Sequence, residues 1–145
     1  MCFLKLYSDN QSFQDVAAST SMPVYSVCEK GVTYNNSRPR TQFSLSLSVS
    51  ERDWDDFKGQ VGDAIVFLDR HEAELNALFV DRDDVEAILD FPVWSRISDD
   101  ICNQNDQFPK GLVMCVGRLG LALELAIYAR DLEHRLELAE VIDER

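Results

Sequence analysis

Residues 43–49 read Phe-Ser-Leu-Ser-Leu-Ser-Val, an alternation of apolar and small polar side chains. Side chains of a β-strand point alternately to the two faces of a sheet. The stretch therefore predicts a strand with one buried face and one small polar face. The polar face is either solvated or covered by a closely packed helix. The other elements are assigned outward from this strand.

The residues after this strand predict the main helix of the chain. Ser50 and Asp53 have the spacing of a helix cap followed by an acid in the first turn. Gly59 and Gly62, each of which costs a helix interior ~1 kcal/mol, indicate an irregularity or a close approach to the sheet. Apolar residues at helical spacing predict one long helix, or two with a break near Arg70–Glu72: Trp54, Phe57, Val61, Ala64, Ile65, Leu68, Leu75, Leu78 and Phe79.

Alternation with a period of two predicts four further strands, at Cys2–Tyr7, Val24–Glu29, Val85–Val93 and Leu121–Tyr128. Pro92 cannot donate a ladder hydrogen bond, so we expect it at a sheet edge or at the end of its strand. A short helix is predicted after Ser12. A third helix is predicted to open at Pro109 and to end at Gly120.

Strands that alternate with helices in a short chain predict an α+β fold, a two-layer α/β sandwich with helices on one face of a mixed sheet. The simplest plan of this kind is the ferredoxin-like split βαβ arrangement. Residues 1–128 are predicted to form one domain, and residues 129–145 a C-terminal helix or tail of that domain. The tail carries an apolar stripe at helical spacing, Leu132, Leu136, Ala139 and Ile142. This stripe either folds back on the domain or pairs with a second copy, and the second case predicts a homodimer.

Several turn and strand-end residues, taken in chain order, resemble a bacterial family known only as domain of unknown function 4279. They are the first strand–helix unit, the Lys30-Gly31 turn, the capped helix after residues 43–49, the Phe108-Pro109 helix start, and the closing strand from Gly120-Leu121 to Ile127-Tyr128. The resemblance covers roughly residues 2–128. It implies a bacterial protein of ferredoxin-like shape and carries no catalytic residues.

The composition excludes several classes of function. The chain has 145 residues, and 14 basic against 26 acidic residues give a net charge of −12. Nucleic-acid binding needs a basic surface, so no nucleic-acid partner is expected. No apolar run approaches the ~20 residues of a membrane span, and the first residues lack the pattern of a signal peptide. We therefore expect a cytoplasmic protein without a membrane partner.

The sequence shows no catalytic, metal or cofactor signature. Cys2, Cys28, Cys102 and Cys115 include no pair at zinc-ligand spacing, and Cys28 and Cys115 fit small buried hydrophobic positions. His71 and His134 lie in charged helical stretches, where solvated positions are expected. Phosphate-binding glycine loops and the nucleophile elbow are absent, so neither a cofactor nor enzymatic activity is expected. A Ser-His-Asp triad assembled in space stays open.

The acidic residues concentrate in the middle of the chain. Residues 51–100 contain 15 acids and 5 bases. Acidic candidates for partner binding flank the fourth strand: Asp81, Asp83, Asp84, Asp99 and Asp100. The pattern favours a non-enzymatic acidic protein that binds a basic protein partner by charge complementarity, as immunity proteins do. The alternative is a solvated acidic face that only aids solubility. Glu86 stands where a calcium loop starting at Asp81 needs glycine, so metal binding is not expected.

The stretch from residue 30 to residue 42 contains Lys30, Arg38 and Arg40 and no acid. Glycine, asparagine and proline interrupt any regular element there, so it is either a plain connection between strands or a binding loop. As a binding loop, Tyr34, Arg38 and Arg40 would hold an anionic ligand. A small-ligand-binding protein or an enzyme that uses this loop is therefore the second hypothesis.

Overall fold

The computed structural model describes residues 1–34 and 38–130. The elements, in chain order, are β1 Cys2–Ser8, α1 Gln14–Ser19, β2 Val24–Cys28, β3 Phe43–Ser50, α2 Phe57–Val80, β4 Glu86–Trp94, α3 Lys110–Leu119 and β5 Ala122–Tyr128. The predicted C-terminal helix, its apolar stripe and His134 lie outside the described residues. None of the helices within the described ranges is long and apolar enough to cross a membrane.

The five strands form one mixed sheet in the order β2-β3-β1-β4-β5. β1 is antiparallel to both of its neighbours, β3 and β4, and β2 is antiparallel to β3. β3 thus lies between the two strands that α1 connects, which is the split βαβ arrangement. β5 adds to β4 in parallel. The predicted α+β class and the two-layer plan are confirmed, with the fifth strand added after α3.

Register gives the sheet two different faces. Leu4 on β1 lies opposite Leu47 and Leu89, and these leucines are fully buried in one cluster with the apolar residues of the helices. Lys5 lies opposite Ser46 and points to the other face, which we call the open face because the described helices pack against the leucine side. The predicted strand at residues 43–49 is confirmed, with buried leucines and half-buried serines.

The main helix begins later than the sequence predicts. Ser50 is the last residue of β3, paired with Cys2, and α2 starts at Phe57 with Asp56 as its N-cap. The predicted cap at Ser50 is wrong because the β3–β1 ladder continues through that residue, and residues 51–56 carry the chain from the sheet to the helix layer. The helix is continuous from Phe57 to Val80, because Leu68 and Leu75 keep its apolar stripe on the core across the polar gap.

Gly59 belongs to the cap of α2. The Asp56 carboxylate accepts a hydrogen bond of 2.9 Å from the backbone N–H of Gly59. A Cβ at position 59 would lie 2.1 Å from Oδ2 of that carboxylate, whereas a Cβ at Gly62 would meet open space. The close approach expected at these glycines therefore exists at Gly59 only, and it is made by the cap rather than by the sheet.

Pro92 lies inside β4, an inner strand, and not at a sheet edge. It is tolerated because the ladder between β1 and β4 ends at Asp90, so no hydrogen bond from residue 92 to β1 is needed. The Pro92 carbonyl instead accepts a hydrogen bond of 3.1 Å from the side chain of Gln60 on α2. Gln60 is fully buried, and its amide also donates to the Asp53 carbonyl at 2.9 Å.

A buried ion pair lies on the open face at the centre of the sheet. The Lys5 ammonium is 2.5 Å from the Asp90 carboxylate, with 31% of the Lys5 side chain and 5% of the Asp90 side chain exposed. Burial by itself lowers the pKa of Lys5, but the hydrogen bond and charge of Asp90 outweigh burial and leave that pKa above its usual value. The other Asp90 oxygen, Oδ1, is buried without a partner among the described residues.

The cap geometry predicts opposite outcomes at two glycines of one helix. Gly62→Ala should raise the free energy of unfolding by about 1 kcal/mol, the propensity difference in a helix interior. Gly59→Ala should gain nothing, because its methyl group displaces the Asp56 carboxylate from a cap worth ~0.5–2 kcal/mol. In an Asp56→Ala background, Gly59→Ala should become stabilising. Urea denaturation measures all four variants, and equal gains at both positions in the natural background would contradict the cap.

The Lys5–Asp90 pair predicts a strongly non-additive pair of substitutions. Lys5→Met should lower the free energy of unfolding by about 3 kcal/mol, because it leaves a buried carboxylate without its counter-charge. Lys5→Met combined with Asp90→Leu should recover most of this loss. Lys58→Met, at an exposed lysine, is the control, and a loss there of similar size would refute the argument.

Candidate functional site

The acidic candidates lie at opposite ends of the sheet. β4 begins at Glu86, just after residues 81–84, and ends at Trp94, just before residues 99–100. Nine strand residues at ~3.3 Å each separate the two acidic groups by roughly 30 Å. We call these the Glu86 end and the Trp94 end of the sheet. Asp81, Asp83 and Asp84 therefore do not form one surface with Asp99 and Asp100.

At the Glu86 end, Asp84 has a structural role. Its carboxylate accepts hydrogen bonds from the Ser8 hydroxyl at 2.7 Å and from the backbone and side chain of Asn10. These bonds, that of Ser8 first, hold the pKa of Asp84 below its usual value. The carboxylate thereby fixes the turn after β1, while Asp81 and Asp83 remain exposed.

The basic loop also lies at the Glu86 end, between β2 and β3. Its stem is closed by backbone hydrogen bonds from Gly31 to the Arg40 carbonyl and from Arg40 to the Val32 carbonyl. The Tyr34 hydroxyl accepts a hydrogen bond from the backbone of Glu29 at 3.1 Å, so it is directed at the stem of its own loop. Arg38 and Arg40 are exposed. Tyr34 and Arg40 therefore lie at the same stem, but the Tyr34 hydroxyl is directed at the backbone of its own loop and not at solvent.

At the Trp94 end, Asp99 and Asp100 form the tip of the long connection between β4 and α3, residues 95–109. Reciprocal backbone hydrogen bonds between Ser98 and Ile101, at 3.0 and 3.2 Å, close this tip. Both aspartates are exposed, and they are bracketed by Ile97 and Ile101, which are 57% and 48% exposed. The tip therefore presents two carboxylates between two aliphatic side chains.

The base of this connection is tied by a network of polar side chains. Arg96 is 2.6 Å from Asp106, whose side chain is only 5% exposed. Gln104 accepts a hydrogen bond from the Arg96 backbone at 2.8 Å and donates one to Asp106 at 2.7 Å. Phe108 then packs on Phe57 and Phe91 in the core. The 95–109 connection is therefore an ordered loop, fixed by polar contacts at its base and by the packing of Phe108 where it joins α3.

An aromatic cluster adjoins the start of this loop. Trp54 packs on Trp94 and on Tyr128, with ring centroids 4.6 and 4.8 Å apart. The Tyr128 carbonyl accepts a hydrogen bond of 2.7 Å from Ser95, the first residue of the loop. Arg130 donates to the Ser95 carbonyl and to Asp55, which lies next to Trp54. The loop, the 51–56 connection and the end of β5 are thus joined at the Trp94 end.

A cleft of about 440 Å³ lies between the start of α2 and the loop. Its lining carries two bases, Lys58 and Arg96, and three acids, Asp55, Asp56 and Asp106. Arg96 is already paired with Asp106. Three further clefts measure about 190–360 Å³. None of these four clefts is lined by a residue of the basic loop.

The shifted side-chain pKa values all move away from neutrality. Burial raises the pKa of the Cys2 and Cys115 thiols, so both stay protonated. The pKa of Lys5 is raised, and that of Glu74 is lowered by hydrogen bonds from Ser21 and Thr20. General acid–base catalysis at neutral pH is most efficient with groups whose pKa lies near the working pH. These groups are therefore poorly suited to acid–base catalysis.

Of the two histidines, only His71 lies in the described residues, and it does not form a Ser-His-Asp type of catalytic triad with its neighbours there. Its Nδ1 lies 3.7 Å from the Glu74 carboxylate, and the Ser21 and Thr20 hydroxyls donate to that same carboxylate. The carboxylate thus lies between the hydroxyls and the imidazole, whereas a nucleophilic serine needs its base as direct neighbour. The prediction that His71 is solvated is wrong. Only 12% of its side chain is exposed, because the ring packs on Phe67.

The cysteines occupy unlike positions. Cys2 and Cys115 are buried, which confirms the prediction for Cys115, while Cys28 is half-buried and Cys102 is exposed in the 95–109 loop. Across the two described ranges, no group of three or more histidine, cysteine or carboxylate side chains could hold a metal ion.

Sequence reasoning missed the residues that build the Trp94 end. Gln60 falls on the apolar stripe of α2 between Phe57 and Ala64, and a polar residue at such a position is a signal that could have identified it. Arg96, Gln104 and Asp106 gave no such signal, because their contacts depend on the path of an irregular loop.

The chain was compared with known proteins by sequence and by structure. No protein-family model, no curated protein and no solved structure matches it. The resemblance to the domain-of-unknown-function family therefore stays a prediction, and any function must be argued from the geometry at the two ends of the sheet.

Proposed function

We propose that the protein is a non-enzymatic binding protein that takes a basic protein partner at the Trp94 end of its sheet. The observation that carries this proposal is the tip of the 95–109 loop, where Asp99 and Asp100 stand between the exposed Ile97 and Ile101. Loops longer than about 12–15 residues without regular structure are uncommon in compact domains, and ordered ones usually serve a function.

The loop is organised in advance of binding. The Arg96, Gln104 and Asp106 network fixes its base, and the Ser98–Ile101 hydrogen bonds fix its tip. A partner that binds a fixed loop loses less conformational entropy than one that must order it. Exposed isoleucines contribute apolar area to such a contact, and exposed carboxylates select a basic surface.

The residues around the loop also include exposed carboxylates and aromatic side chains. Glu51 and Asp53 are exposed on the connection beside Trp54, whereas Asp55 there is already paired with Arg130. Tyr128 is 37% exposed and packs against that tryptophan. Arginine and lysine side chains bind well where aromatic faces and carboxylates lie together. A basic partner that contacts the tip would therefore find further acidic and aromatic groups at this end.

The second hypothesis, a small-ligand-binding protein or enzyme that uses Tyr34, Arg38 and Arg40, has less support. The Tyr34 hydroxyl bonds to the loop stem, and the four clefts described above lie away from these residues. Asp81 and Asp83 are weaker candidates for partner binding than Asp99 and Asp100, because they do not lie on a comparably long, ordered loop.

The test compares two pairs of substitutions that change the net charge equally. Asp99→Asn with Asp100→Asn should weaken binding of a fluorescent peptide of alternating arginine and leucine by about fivefold, from two exposed charge pairs of ~0.5 kcal/mol each. Asp81→Asn with Asp83→Asn, at the opposite end, should leave the Kd within about twofold. Fluorescence anisotropy measures both, and added salt should weaken the binding.

A further variant, in which both isoleucines are replaced, tests the apolar part of the proposal. Ile97→Ser with Ile101→Ser should also weaken binding while leaving the thermal melt unchanged, because both side chains are exposed. If the two aspartate pairs weaken binding equally, the peptide senses only the net charge, and the proposed site is wrong. Unchanged binding in the isoleucine variant would remove the apolar part of the proposal.

A further inference from the structure

The two edges of the sheet differ in how they are protected from other strands. β2 is short, follows Pro23 directly, and has an irregular register between Val24 and Ser26. β5 pairs with β4 over its whole length without an irregularity. Prolines, bulges and charges are the usual means by which an edge strand is kept from pairing. β2 uses two of them, and β5 has neither a proline nor a bulge.

The sequence of β5 is also unusual for an edge strand of the described sheet. Residues 122–128 read Ala-Leu-Glu-Leu-Ala-Ile-Tyr, with Glu124 as the single charged residue. Ile127 lies on the helix side of the sheet with Leu123 and Leu125, yet is 52% exposed. Those two leucines are only half-buried. Within the described residues, β5 is therefore an apolar edge strand that a neighbour would cover.

We infer that β5 pairs with β5 of a second copy of this chain, antiparallel about a two-fold axis at Leu125. This register places Leu123 opposite the other copy's Ile127, Glu124 opposite Ala126, and Ala122 opposite Tyr128. All seven residues are then paired, and each exposed isoleucine meets a leucine. The two sheets join into one sheet of ten strands with the helices of both copies on the same side.

Charge favours this register over the one with its two-fold axis at Glu124. A two-fold axis at Glu124 would set the two glutamates directly opposite each other, which is destabilising, and would leave Ile127 and Tyr128 unpaired. With the axis at Leu125, each Glu124 faces a small apolar alanine. β5 is self-complementary in this arrangement, whereas a single acid in seven residues gives a basic partner strand little to recognise. The seam is therefore assigned to a second copy, and it meets the proposed partner surface only at Tyr128.

Sedimentation of the full chain tests the dimer directly. At tens of micromolar we expect twice the chain mass of 16.5 kDa. The dimer should strengthen with added salt, because salt screens the repulsion between two copies of charge −12. This is opposite to the salt dependence of binding to a basic partner. A monomer at these concentrations in high salt would overturn the inference.

Two variants locate the interface. Ile127→Lys should give a monomer, because it places a charge at the seam. Val66→Lys, at a residue of α2 with 57% exposure, should stay dimeric. Far-UV circular dichroism and a thermal melt check that both variants fold. A dimer of unchanged strength in Ile127→Lys would place the contact elsewhere and refute β5 pairing.

A cross-link tests the register and does not rely on loss of assembly. Opposed residues of antiparallel strands have Cα atoms about 4.5–5.5 Å apart, within the range that a disulfide spans. In a chain with Cys102→Ser, Leu125→Cys should form a covalent dimer on mild oxidation, and Val66→Cys should not. A folded Leu125→Cys protein that sediments as a dimer but yields no covalent dimer would exclude the axis at Leu125.

Discussion

One buried carboxamide holds the Trp94 end of the molecule together. Gln60 reaches from α2 to the carbonyls of Asp53 and Pro92, and so ties the helix layer, the 51–56 connection and β4 to one point. The ladder between β1 and β4 does not extend beyond Asp90, and in its place the Trp54 carbonyl accepts a hydrogen bond of 3.4 Å from the backbone N–H of Trp94. The 95–109 loop starts from this point. Its position and that of the aromatic cluster follow from a residue that no partner could touch.

The acidic composition overstates the acidity of any one surface. Several of the acids in residues 51–100 serve the fold itself: Asp56 caps α2, Asp63 accepts from Ser50 and Arg52, Asp84 fixes the turn after β1, and Asp90 pairs with Lys5. Of the remaining exposed acids, Asp69 pairs with Arg118 on the helix side, and the others divide between two ends of the sheet roughly 30 Å apart. A partner therefore meets a small group of carboxylates with a defined setting, and the net charge of −12 acts mainly at long range.

Period-two alternation predicts the strands because each residue of this sheet faces either the helices or the open face. The helix start could not be predicted in the same way. A serine followed by an acid resembles a cap, but the signal is local, and the pairing of Ser50 with Cys2 was decided by the sheet. The candidate site was predicted only in part. Asp99 and Asp100 were recognised as acids, whereas the closure of the tip and its isoleucine neighbours depend on loop geometry that has no period.

The attachment of β5 through α3 has a consequence for the nascent chain. The first four strands are all synthesised by Trp94, but α3 brings Leu112, Cys115, Val116 and Leu119 to the core only later. Phe57 and Phe91 also lack their packing partner until Phe108 is synthesised. At roughly 5–20 residues per second, ribosomes need a few seconds to make the missing part. During that interval the outer edge of β4 has no neighbour, so a chaperone that binds apolar segments would meet this protein chiefly at β4.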